Sequence, residues 1–151
     1  MKKGISLVVL VITIIVLVIL TGVVIIDSNY IVADAELSKL QSDIAELQTL
    51  MRIYKIRNSG NIPFDTVDMD ISYLSEDVKK QFSEETISDD GKIQLYVIQL
   101  DKIDAEAVNY GTQKESASDR YLYSSVTGKV YYEQGLLVNG VMYYYIENGE
   151  G

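Results

Sequence analysis

The side chains able to do chemistry in this 151-residue chain are its carboxylates and its twelve tyrosines. Cysteine and histidine are both missing, which excludes thiol and imidazole catalysis, disulfides and the usual zinc sites. Asp65-x-x-Asp68-x-Asp70 sets three hard oxygen donors close together, the chemistry that calcium prefers. It lacks the glycine and the distal glutamate of an EF-hand loop, so no metal site is assigned. The other acids are scattered over polar segments and read as a solvated acidic face. No catalytic residue and no cofactor is expected, and the chain reads as a non-enzyme.

The tyrosines point instead to packing. Eight of them fall in segments with strand character: Tyr96, Tyr121, Tyr123, Tyr131, Tyr132, Tyr143, Tyr144 and Tyr145. Neighbouring strand residues face opposite sides, so Tyr143 and Tyr145 share a face and Tyr144 takes the other. One set is expected to pack on a helix. The other, with Tyr132 and Tyr144, is a candidate surface for subunit contact or adhesion.

The elements that must position these residues follow from pattern. Lys92–Leu100, Arg120–Val126, Lys129–Gln134, Leu136–Val138 and Val141–Ile146 are rich in β-branched and aromatic residues and read as strands. Thr127-Gly128 marks a tight turn, and Asn139-Gly140 is a type I′ hairpin signal. Short links between consecutive strands imply an antiparallel meander of about four strands. Ser75–Phe82 reads as a short helix capped by Ser75. Ile62–Asp70 reads as an irregular loop.

A meander needs an apolar cover. Ile31, Ala35, Leu37, Leu40, Ile44, Leu47, Met51 and Tyr54 recur at helical spacing, and Leu37 to Tyr54 are expected to pack on the sheet. Asp34, Glu36, Lys39, Asp43, Glu46 and Arg52 are placed on the opposite, polar face. Asn58-Ser59-Gly60-Asn61, with Pro63 beyond, is the stop signal.

Upstream lies an uncharged run, Ile5 to Ile26, of 22 residues; all but Ser6, Thr13, Thr21 and Gly22 are Val, Ile or Leu. A helix of that length reaches roughly 33 Å, against a hydrocarbon core of about 30 Å. The sequence therefore predicts a membrane-spanning half-helix, with Gly22 its weak point. Lys2 and Lys3 predict a cytoplasmic N-terminus and an extracellular C-terminal domain, a single-pass membrane protein. All 22 acids follow the run, and with eleven Lys and Arg they give the remainder a charge of −11. That field opposes nucleic-acid binding.

Lys2-Lys3-Gly4 followed at once by an apolar helix, an amphipathic continuation and a C-terminal antiparallel sheet resembles the type IV pilin and type II secretion pseudopilin family, in its Gram-positive pilin-like form. Thr127-Gly128-Lys129-Val130-Tyr131, Val138-Asn139-Gly140 and Tyr143-Tyr144 are also similar to that group. The resemblance implies an α+β, pilin-like fold with a long N-terminal α-helix. Its apolar half would be transmembrane and its amphipathic half packed on the antiparallel β-meander.

It divides the chain into a leader (1–4), a transmembrane half-helix (5–26), an amphipathic half (27–58) and an extracellular globular domain (59–151). It implies cleavage by a prepilin peptidase between Gly4 and Ile5, N-methylation of Ile5, and assembly into a cell-surface filament with other pilin-like subunits. An assembly ATPase and a platform protein would drive that step. The assembly helix would include Ile5, Val9 and Gly22. Val9 stands where the family commonly has Glu, which removes one specific subunit contact and favours a minor subunit over an abundant one. The rival expectation is an uncleaved, single-pass anchored extracellular binding module.

Overall fold

The computed structural model describes the backbone of residues 2–105, 108–113 and 116–147. Within the N-terminal helix it describes the side chains of residues 7–17 and those from 34 onward. The chain forms two compact units, residues 1–36 and 37–151. Helix α1, Lys2–Arg57, contributes to each.

Among the described residues, no helix is long and apolar enough to cross a membrane. The expected fold class is corrected on this point. The membrane-spanning half-helix is withdrawn, and with it the single-pass membrane localisation and its cytoplasmic and extracellular sides. Gly4, Ile5 and Gly22, assigned to processing and assembly, lie outside the residues whose side chains are described.

In the second unit, α1 presents Leu40, Ile44, Leu47 and Met51 as one fully buried stripe. Steps of four, three and four residues keep them on one face. Leu37 and Tyr54, at the two ends of that stripe, are half-buried. The Tyr54 ring stacks on Phe64, with centroids 5.2 Å apart. The helix stops where the sequence places its stop. Asn58 Nδ2 donates to the Tyr54 carbonyl at 2.8 Å, and the Gly60 amide donates to the Lys55 carbonyl at 2.7 Å. Gly60 does so at φ +85°, a conformation that costs glycine nothing.

The sheet is antiparallel, in the order β1-β2-β3-β4, with β1 Thr66–Asp70, β2 Lys92–Val97, β3 Tyr121–Tyr123 and β4 Val130–Tyr132. A separate hairpin pairs β5 (Leu136–Val138) with β6 (Val141–Tyr143). Its turn has φ +51° at Asn139 and +79° at Gly140, as a type I′ turn requires. Strand β1 replaces the expected loop. Val67 and Met69 alternate with Thr66, Asp68 and Asp70, a strand period that the three acids obscure, and the ladder from Thr66↔Tyr96 to Asp70↔Lys92 fixes it.

Both faces of the sheet are covered. One packs on α1 through Ile98, Tyr121, Tyr123, Val130 and Tyr132. The other buries Met69, Ile93, Leu95, Leu122 and Tyr131 with Phe82 and Tyr144. Phe82 is delivered by α2 (Glu76–Lys79) and the 3₁₀ turn that follows it, Lys80–Phe82. Ser75 caps α2, its hydroxyl accepting from the Val78 amide at 3.4 Å.

Candidate functional site

The acids fall into three environments. Asp65, Asp68 and Asp70 are exposed on and beside edge strand β1, where β-sheet geometry spaces them out instead of curling them round an ion. Among the described residues no cluster of metal-ligating side chains forms. Asp70 accepts from the Ser72 hydroxyl at 2.6 Å and the Ser72 amide at 2.9 Å. These two bonds hold its carboxyl below the usual range.

The second environment is the buried carboxylate, which the sequence reading missed. Asp43 is placed by its spacing on the polar face of α1, yet it is only 1% exposed. It accepts from the Asn109 amide at 2.9 Å, Asn109 Nδ2 at 2.9 Å, the Tyr110 amide at 2.9 Å and the Tyr121 hydroxyl at 2.7 Å. Its position three residues after Leu40 and four before Leu47 puts it beside the buried stripe, and that spacing was the available signal. Glu85 accepts from the Ser124 hydroxyl, from Thr127 Oγ1 at 2.7 Å and from the Tyr131 hydroxyl at 2.6 Å. Asp119 accepts from the Gly111 amide at 2.9 Å and from the Tyr132 hydroxyl.

Three strand tyrosines thus each donate to a buried carboxylate. Burial first, and the carboxylate second, push the Tyr121 and Tyr131 hydroxyls far above the ordinary phenol range. Asp43 takes four donors and Glu85 three, all from this chain. Chemically, this arrangement positions backbone.

It also corrects the tyrosine assignment. Tyr132 and Tyr144 are buried, at 2% and 4% exposure, and neither offers a contact surface. The Tyr132 ring lies against those of Tyr121 and Tyr110, at 5.2 and 5.7 Å. Tyr144 packs on Phe82 at 5.6 Å. Tyr132 lies on the sheet face that packs on α1, and Tyr144 on the face that the α2 segment fills.

The third feature is apolar. From Leu7 to Leu17, ten Val, Ile and Leu side chains are each 47–62% exposed. They lie on every side of the helix, Val9 among them, and Thr13 turns its hydroxyl inward onto the Val9 carbonyl at 2.7 Å. A helix apolar all round is stable in water only when covered. In the 37–151 unit a polar cleft of about 910 Å³ opens between the start of β1 and the loops carrying Asp101 and Gln113. Comparison with family models, curated proteins and solved structures finds no match.

Proposed function

We propose that the chain is a structural, non-enzymatic subunit of a pilus-like or pseudopilus-like filament, assembled through its N-terminal helix. One observation carries this reading: the Leu7–Leu17 segment exposes ten large aliphatic side chains around its whole circumference. Fully covering a side chain of this kind contributes about 1.5–3 kcal/mol. Covering ten that are half-exposed is therefore worth on the order of 10 kcal/mol to an assembly. Helices of sibling subunits, packed side by side, supply such a cover. The abrupt start of the apolar run after Lys2-Lys3-Gly4 supports processing between Gly4 and Ile5 by a prepilin peptidase. Assembly by an ATPase and a platform protein, alongside other pilin-like subunits, belongs to the same reading.

The test is mass spectrometry of the chain recovered from purified filaments. A mature chain beginning at methylated Ile5, and loss of filament incorporation in Leu10→Asp, support the proposal. A chain that keeps Met1 to Gly4 in cells with active prepilin peptidase, and never enters filaments, overturns it.

A further inference from the structure

Strand β1 is an edge of the four-stranded sheet, and the register shows which of its groups are free. The Val97 amide donates to the Asp65 carbonyl at 2.8 Å and the Ile71 amide to the Gly91 carbonyl at 2.9 Å. With a period of two, residues 65, 67, 69 and 71 bond inward to β2, so the backbone of Thr66, Asp68 and Asp70 points outward. Among the described residues, no hydrogen bond reaches those outward amides and carbonyls.

The side chains on this edge are ordered as well. Thr66, Asp68 and Asp70 share one exposed face, and Val67 and Met69 the other. The polar cleft begins at Asp65, Thr66 and Val67 and continues to Asp101, so carboxylates line both the strand and the groove at its N-terminal end. Arg120, the one arginine among the groove's described lining residues, is engaged by Glu133.

We propose that the β1 edge docks an extended, basic segment of another protein by strand addition, with one end of that segment led into the Asp65–Asp101 cleft. Main-chain hydrogen bonds to Thr66, Asp68 and Asp70 supply affinity, and alternate Lys or Arg side chains over Asp68 and Asp70 supply selection. A second copy of this strand is a poor occupant. Antiparallel pairing centred on Asp68 sets that carboxylate against itself, and parallel pairing adds Asp70 beside Asp70. The surface thus rejects its own kind and selects the opposite charge, which goes beyond assembly through the N-terminal helix and does not depend on it.

The probe is an alternating Lys-Val peptide, with an alternating Glu-Val peptide as control, added to the full-length chain. Amide hydrogen exchange at Thr66, Asp68 and Asp70 should slow with the first and not with the second. Asp68→Asn combined with Asp70→Asn should weaken binding about three- to tenfold. Thr66→Pro keeps every acid and removes one outward amide at an edge position that tolerates proline, so it should weaken binding with the fold intact by circular dichroism. Binding without slowed exchange at these amides, or no binding at low ionic strength, overturns the proposal. The acids would then only guard the edge against strand pairing.

Discussion

Asp43→Ala is the most severe single test of how the 37–151 unit is held together. The carboxylate collects four donors from three residues, Asn109, Tyr110 and Tyr121. Asn109 is exposed, and its two groups rehydrate once the carboxylate is gone. The Tyr121 hydroxyl is buried and does not, and the Tyr110 amide is part-buried and does so only in part. One orphaned buried donor at about 1–3 kcal/mol, with a smaller share from the part-buried amide, gives a loss of about 1–5 kcal/mol. Against a total stability of about 5–15 kcal/mol, that is a large share. Urea titration followed by tyrosine fluorescence reads this unit, because eleven of the twelve tyrosines lie in it. The midpoint should fall with the slope unchanged. Tyr121→Phe should cost about 1.5–3 kcal/mol, and the double mutant should fall short of additivity by about 0.5–3 kcal/mol. Asp68→Ala, on the exposed edge, should stay within about 0.5 kcal/mol of the parent. An Asp43→Ala loss below about 1 kcal/mol would refute the claim that this carboxylate ties the loop to the helix.

The raised tyrosines predict alkaline unfolding. Tyr121 and Tyr131 are held far above the phenol value and Tyr144 at about 12, so folding favours their protonated forms. That stability is intact below about pH 10 and is lost as pH rises, by about 1.4 kcal/mol per pH unit for each buried tyrosine. Tyrosinate absorbance should appear in step with loss of the fold; smooth ionisation of all twelve near pH 10 on an intact fold contradicts it. Gly111→Ala should be far worse than Gly128→Ala, although both glycines have φ near +78°. A Cβ at Gly111 meets the Tyr121 ring at 2.5 Å, and one at Gly128 meets nothing within 4 Å. Thermal denaturation should show about 2–6 kcal/mol of loss for the first and about 1–2 kcal/mol for the second.

The second unit's helix stripe and hairpin are legible in the sequence because each rests on a local rule. Leu40, Ile44, Leu47 and Met51 need only the helical period, and Asn139-Gly140 needs only its left-handed backbone. What escaped depends on partners distant in the chain. Strand β1 is a strand because β2 lies 26 residues on from it, at Asp68↔Gln94. Tyr144 is buried because Phe82, 62 positions earlier, reaches its ring. Asp43 changes from a surface acid to a core acid through Asn109, Tyr110 and Tyr121, none of them near it in sequence. The membrane-spanning expectation rested on composition alone, and among the described residues no helix is long and apolar enough to cross a membrane.

The carboxylate–tyrosine pairs explain how a cysteine-free unit with strands of three to six residues keeps a defined shape. Strands that short carry few ladder bonds, and the segment from Asp101 to Arg120 has no regular structure of its own among the described residues. Asp43 fixes the middle of that segment to α1, and Asp119 fixes Gly111 to Tyr132 of β4. On the opposite face Glu85 ties the chain after the 3₁₀ turn to Ser124, Thr127 and Tyr131 around the β3–β4 turn. A leucine at any of these sites would supply apolar area but no acceptor, leaving several donors unpaired in the interior. Each acid is therefore a cross-link between elements that hydrophobic burial alone would leave free to slide. Because each link carries charge, removing its partner costs more than removing an ordinary hydrogen bond. The tyrosine excess has its physical account there: the rings fill both faces of the sheet, and three of the hydroxyls neutralise the cost of burying the acids that hold the loops.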